Sequence, residues 1–423
     1  MAAAVLTKTV NDSNYLDKPC CFKSVSCHVL LLHMATELDP HCRQLVTDHH
    51  KWIGTFLPET GSLPCIFPDV LQQLPPEPLL FLPGTFNEKR SRVERCTLAP
   101  RQACCTHASF CPSNLRTDVD VSGLPCPDNS KANHKRKFEQ GDSGLIYITW
   151  ARAHRDRRTP LLILENVPDL KIDVVRELLE DDYLVIQLFV EPSDVGHHGI
   201  QRKRTFIYCS HHVTGRYLFD IHEAYNYIKE SLSTHIRTRP RDYLVATDFE
   251  IRLAAQQAAS DRGVAYRHGI TDLTYLLSDF EKEQVAALSE QYKRRWGVDP
   301  CQDADLVFFL GDRATYSRVW SAVSGKLPTY RRNPGKYWFP HAGRWLLPVD
   351  KLASMGLPVT EATAHMMGVP VLPVLDPKRA SSIQGNAMHF SNLAVVLLLG
   401  LTCFGPNNEE PSIDWAALAR AGY

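Results

Sequence analysis

No sign of charge dominates this 423-residue chain: Lys and Arg number 47, and so do Asp and Glu, for a formal net charge of zero. That excludes a whole-chain basic field of the kind that draws proteins onto nucleic acid, so any such binding must come from a local patch. Long apolar runs are lacking too. The stretch Asn392 to Phe404 is apolar but too short to span a bilayer, and it reads as a buried helix. No long apolar core follows a basic start at the N-terminus, so no signal peptide is read there. The thirteen cysteines form no even framework, and adjacent pairs such as Cys20-Cys21 and Cys104-Cys105 do not readily bridge, which points to a reducing compartment. Glycine is also missing where it could matter. None precedes Gly54, so the start of the chain has no glycine-rich turn to bring backbone close to a ligand.

What is present suffices for a core. A hydrophobic content of 44% is ordinary for a globular protein, and the length suggests about two or three domains. The stretch from Asp118 to Val167 organises the rest. It opens with a short apolar alternation at Val119 and Val121 that stops at Gly123, and it closes on the continuous apolar run LLILENV. Both ends read as strands of an α/β sheet, delivering side chains at the carboxyl edge where such sheets bind ligands. Cys126 and Glu165 are then expected to be neighbours across two strand ends. Alone, a Pro-Cys pair after a strand says little, because free cysteine commonly behaves as a small buried hydrophobe.

Pro125-Cys126, Ser130 and Glu165-Asn166-Val167, in this order and separation, resemble the cytosine-5 DNA methyltransferases. The resemblance implies an α/β fold: a Rossmann-like sheet of the S-adenosylmethionine-dependent methyltransferase kind, with a smaller target-recognition domain. It also explains the residue types. Carbon 5 of cytosine is a poor nucleophile until a thiolate adds at carbon 6, and cysteine supplies the most nucleophilic side chain for that. A glutamate is needed against ring N3 and the exocyclic amine as charge builds there. The base must leave the duplex to reach such a pocket. By this resemblance Cys126 and Glu165 are catalytic, while Pro125, Ser130, Asn166 and Val167 line the substrate.

The family would begin with a Phe-x-Gly-x-Gly turn against S-adenosylmethionine, which residues 1–36 lack. The next elements match better. An apolar strand runs into Glu37, and Asp39-Pro40 opens a helix. The resemblance assigns Glu37 to the ribose hydroxyls, Leu38 to the adenine, and Asp69 with Val70 to the adenine amine and its surroundings. Taken alone, Glu37 belongs to an acidic helix start and Asp69 is a helix cap. Between Pro75 and Thr117 the chain is rich in Pro, Cys and polar residues. Cys96, Cys104, Cys105, His107 and Cys111 raise a zinc reading, but no Cys-x-x-Cys repeats, so an irregular surface insertion without metal is expected.

After Cys126, the segment from Lys131 to Arg158 carries a local basic excess and reads as a loop contacting phosphates, or else as a loop with a solvated helix from Ala151. Helices are expected at Asp173 to Glu180, Phe249 to Ala259 and Leu273 to Trp296, and a strand at Tyr183 to Val190. Arg202 and Arg204 resemble the family's Gln-x-Arg-x-Arg element, which would hold the cytosine carbonyl and nearby backbone. In that alignment the family's glutamine falls on Ile200, with Gln201 one place later; alone, the run is a basic strand edge. Residues 210 to about 325 carry no motif, at the place where the family reads DNA bases. Thr329, Arg344 and a helix from Pro348 resemble the element that organises that region, and Arg344 is counted with the substrate contacts. Gly385-Asn386 before the late apolar helix resembles the turn that meets the cofactor carboxylate through Asn386.

These readings divide the chain into a catalytic lobe at 1–209, a recognition lobe at 210–379 and a returning segment at 380–423. They imply S-adenosylmethionine as cofactor, DNA as partner and an intracellular, soluble protein, nuclear in a eukaryote. The same motifs would serve a transfer-RNA cytosine-5 methyltransferase. A non-catalytic DNA-binding or regulatory homologue would account for the missing glycines.

Overall fold

The computed structural model describes residues 32, 34–55, 61–131, 133–315, 321–330, 335–369, 371, 372, 374 and 387–407. Two compact units divide the chain. The first combines Met1–Val190, Lys203–Tyr227 and Leu393–Tyr423; the second combines Glu191–Arg202 and Ile228–Asn392. The division therefore falls neither at 209 nor at 379. The strand Arg204–His211 and the late helix belong to the first unit because they complete its sheet and cover it.

The first unit contains two parallel β-α-β passages. In the earlier one, strand β1 (Met34–Thr36) leads through helix α1 (Pro40–Gly54) to β2 (Cys65–Phe67), which pairs with β1 in parallel. The main sheet is four-stranded, in the order β5 (Val119–Gly123), β6 (Leu161–Asn166), β8 (Arg204–His211), β7 (Tyr183–Val190). Helix α3 (Ser143–Arg157) connects β5 to its parallel partner β6, and helix α4 (Ile172–Leu179) connects β6 to β7. Strand β8 is antiparallel to both β6 and β7 and lies between them, so β5, β6 and β7 all point the same way. The expected single sheet thus appears, among the described residues, as this Rossmann-like sheet plus the separate β1–β2 pair.

The run LLIL of β6 is apolar at every position because both faces of the sheet are covered. Leu162 and Leu164 join Ile207 and Cys209 in a core with Leu145, Ile148, Val175 and Leu178 from α3 and α4. The opposite face meets the helix Phe390–Cys403. A Cβ built on Gly400 would lie 2.9 Å from Ile163 Cδ1 and 3.4 Å from Leu161, so a side chain here would have to displace the end of Ile163. The Tyr208 hydroxyl donates to Val396 O at 2.9 Å, and its ring stacks on Phe404.

Residues 75–116 do not form an irregular insertion. They hold helix α2 (Phe86–Arg95), opened by a capping box in which Thr85 and Glu88 bond each other's backbone, and the hairpin β3 (Arg101–Cys104) to β4 (Ser109–Pro112). The helix expected from Ala151 begins at Ser143, and its face with Tyr147, Ile148, Trp150 and Ala151 is core, not solvated surface.

The second unit is mostly helical, with Asp248–Arg262 and Asp279–Trp296 each started by a capping box. Its three short strands Phe308–Phe309, Tyr337–Phe339 and Arg344–Trp345 form an antiparallel sheet. The helix expected from Leu273 starts only at Asp279, after a short turn at Thr274–Leu276. No helix among the described residues is long and apolar enough to cross a membrane.

Candidate active site

Parallel pairing of β5 and β6, with Gly123 opposite Glu165, brings the residues after both strands to one edge. There the chain turns at Cys126, whose carbonyl accepts the N–H groups of Asn129 at 3.0 Å and Ser130 at 2.9 Å. The Glu165 carboxylate meets Arg204 Nε at 2.9 Å, in a pair that is largely shielded from solvent. Arg204 also donates to Lys203 O.

One residue that no motif singles out ties these parts together. The buried Tyr147 hydroxyl donates to Pro125 O at 3.2 Å and accepts from Asn129 Nδ2 at 3.2 Å and Asn166 Nδ2 at 2.8 Å, which uses its one proton and both lone pairs. The second hydrogen of Asn166 goes to Leu124 O at 3.0 Å. Thus the residues flanking Cys126 and the residue after Glu165 converge on one phenol. Burial first, then the neighbouring Cys126 and Glu165, push the Tyr147 pKa far above its ordinary value, so it stays a neutral donor. Asn166, expected to line the substrate, is instead turned inward as a brace, because its amide is engaged by Leu124 and Tyr147. Pro125 and Val167 are half-buried beside it.

The loop between Cys126 and α3 is held by Asp128. Its carboxylate accepts the Ser143 N–H at 3.1 Å and the Ser143 hydroxyl at 2.6 Å, capping α3 from across the loop. The basic excess divides in two. Arg152 and Arg155 pair with Glu94 of α2, and Arg157 donates to Gln73, so the helical cations are engaged inside the unit. Lys135 and Lys137 stay exposed on the loop, with Arg136 over the Phe138 ring.

At the other parallel pair, Glu37 and Asp69 follow adjacent strands at one edge. Glu37 uses Oε1 to hold the Asp39 N–H at 2.8 Å, and Asp69 uses Oδ1 to hold Leu71 N–H at 2.9 Å, so each carboxylate orders its own turn. Leu38, between Glu37 and the helix, is 73% exposed, an apolar side chain presented to solvent at a strand edge. Two carboxylates and an apolar surface at neighbouring parallel strand ends suit the ribose and adenine of a nucleoside. Val70 is half-buried behind Asp69. Residues 1–31 and Asn386 lie outside the described residues.

Two assigned arginines belong to the second unit. Arg202 is buried and donates to Ala387 O at 2.6 Å. Arg344 is also buried and turned onto the fully buried Asp350 at 2.6 Å, which makes it a brace of its own unit rather than a surface for substrate. Thr329 donates to Gln201 O at 2.6 Å.

The main sheet is mixed, with helices packed on both of its faces. Residues 107–296 match the family model of C-5 cytosine-specific DNA methylases. The type II methyltransferase M.MspI of Moraxella sp is 32% identical over 98 residues, which span 22% of this chain and 23% of that protein. Similar solved structures include the Schizosaccharomyces pombe Dnmt2 methyltransferase, at 11% identity over 88% of this chain and 90% of that one with a TM-score of 0.40. A putative DNA modification methyltransferase encoded within an Escherichia coli prophage gives 14% identity, 87% and 91% coverage, and a TM-score of 0.41.

Proposed function

We propose that this protein methylates carbon 5 of cytosine in DNA through a covalent adduct on Cys126. The reading rests on the parallel β5–β6 pairing, which sets Cys126 and Glu165 after adjacent strands with Tyr147 beside both, inside the segment that matches the family. The Cys126 thiolate adds to carbon 6 of a flipped cytosine, and the electron pair of the 5,6 double bond moves to carbon 5, which takes up the methyl group. Loss of the carbon-5 proton then restores the double bond as the thiolate leaves. Glu165, held by Arg204, meets ring N3 and the exocyclic amine. Arg204 stabilises the cytosine carbonyl and adjacent backbone. Lys135, Arg136 and Lys137 on the loop contact phosphates, and Ser130 steadies the turn behind the thiol.

S-adenosylmethionine supplies the methyl group when bound. Glu37, Leu38, Asp69 and Val70 would hold its adenosine part, and Asn386 its carboxylate. The test is methyl transfer by the full-length protein to duplex DNA and to RNA, together with trapping on DNA containing 5-fluorocytosine, whose fluorine cannot leave as the proton does. Wild type should form a denaturation-resistant adduct, and Cys126→Ala should form none while still binding DNA. Turnover persisting in Cys126→Ala would remove the covalent mechanism, and transfer to RNA alone would remove DNA as substrate.

A further inference from the structure

Away from the edge that carries Cys126 and Glu165, four potential metal ligands from two chain segments converge in the first unit. Cys65 opens β2, Cys104 ends β3, His107 sits in the hairpin turn and Cys111 lies in β4. The Sγ atoms of Cys65, Cys104 and Cys111 lie 3.6, 3.4 and 3.4 Å from His107 Nδ1. All four ligand atoms are within 4.8 Å of one another. Hydrogen bonding to His107 cannot account for all three of these contacts. A neutral imidazole Nδ1 has either one proton or one lone pair, so it satisfies one thiol and not three. Tetrahedral zinc, with bonds of about 2.3 Å to sulfur and about 2.0 Å to nitrogen, separates its sulfur and nitrogen ligands by about 3.5 Å, as observed here.

The surrounding backbone brings the ligands together without the metal. Ile66 O accepts the Cys105 N–H at 2.7 Å and Pro64 O accepts the Thr106 hydroxyl at 2.9 Å, so the residues on both sides of Cys65 are tied to the turn that carries His107. In the hairpin, Gln102 faces Cys111, and Cys104 is two residues on from Gln102, which puts both cysteines on one face. Cys105 is exposed and is not a member of the group, and Cys96 donates its thiol proton to Val93 O at the end of α2. Of the residues that raise a zinc reading in the sequence, Cys96 and Cys105 are outside the cluster, and Cys65, 39 residues before Cys104 in the chain, completes it.

We propose that Cys65, Cys104, His107 and Cys111 form a structural zinc site that clamps β2 to the β3–β4 hairpin. Four protein ligands close the coordination shell and leave no position for water or substrate, which distinguishes a structural ion from a catalytic one. His107 is exposed and two of the cysteines are half-buried, so the ion is within reach of chelators.

The experiment is metal analysis of the full-length protein purified under reducing conditions from zinc-supplemented medium, followed by cobalt substitution. A single zinc per chain is expected, replaced by cobalt with thiolate charge-transfer and tetrahedral d–d bands. Cys65→Ser and Cys111→Ser should each lose the metal, Cys105→Ser should retain it, and Cys111→His should retain it with weaker charge transfer. If the serine variants do not fold, the wild-type cobalt spectrum and Cys111→His decide. Substoichiometric metal with no tetrahedral cobalt spectrum overturns the site, as does stoichiometric zinc surviving in both serine variants. None of these readouts depends on methyl transfer, so the site stands or falls separately from the proposed activity.

Discussion

Tyr147 shows what a single hydroxyl does in this protein. Replacing it with phenylalanine leaves the Asn129 and Asn166 amides each short of a buried acceptor and Pro125 O without its donor. Leaving such groups unsatisfied costs about 1–3 kcal/mol. Tyr147→Phe should therefore lower the urea midpoint measurably, and turnover should fall roughly 10- to 100-fold because the turns bearing Cys126 and Glu165 lose their common anchor. A wild-type rate in a destabilised variant would confine Tyr147 to a packing role. Nothing in the sequence marked this residue, since one tyrosine on a buried helix face looks like core. Glu165 was legible for the opposite reason: it ends an unbroken apolar run, and charge arriving there announces the edge of a sheet.

His154 gives the residue scale a pH dependence. It is enclosed beneath β5, with Thr159 on Nδ1 at 3.0 Å and Asp120 3.6 Å from Nε2. Burial pushes its pKa down from 6.5 to about 4; Asp120 opposes the shift, and Arg157 adds to it. The folded state thus keeps His154 neutral while the unfolded chain protonates it. Its contribution is whole above about pH 6.5 and is lost as the pH falls toward about 4, at about 1.4 kcal/mol per pKa unit. His197 is pushed down to about 4 as well, by burial and then by His198, and has the same sign. Thermal midpoints should fall between pH 7 and pH 5, and His154→Asn should flatten that slope. An unchanged slope would place the acid sensitivity elsewhere.

At the scale of elements, the helix Pro348–Ser354 depends on Asp350. Its carboxylate accepts from Arg344 twice, from the Leu347 N–H at 2.8 Å and from the Ala246 N–H at 2.8 Å, with no solvent exposure. Removing it strands a buried guanidinium and two amides, and breaking such a pair costs about 3–5 kcal/mol. Asp350→Ala should lose that much stability, measured by chemical unfolding; a loss below about 1 kcal/mol would mean that water reaches Arg344 in its place. The sequence marked this helix by its Pro348 start, but the partner of Arg344 is a tertiary matter that spacing does not reveal. The same limit explains the misjudged segment 75–116. Its Thr85-x-x-Glu88 capping box was there to be read, whereas three of the cluster's ligands needed the fourth, from a distant strand, to stand out. Strand direction was equally hidden: the buried run of β8 reads the same whether it runs with its neighbours or against them.

Across the whole molecule, the first unit is built from three separated stretches of chain. Gly400 is where the last stretch meets the sheet, and Gly400→Val should force the helix off Ile163 and Leu161. Overpacking of this kind costs about 1–3 kcal/mol. The thermal midpoint should drop by several degrees; a variant as stable as wild type would mean that the Ile163 and Leu161 side chains yield to the added groups. The same arrangement has a consequence during synthesis. The sheet strands have all emerged by Tyr227, but the helix that covers Leu161, Ile163 and Tyr208 follows only from Phe390. At about 5–20 residues per second the ribosome needs roughly 10–30 s to reach it, and for that time one greasy face of the nascent sheet stands open to chaperones.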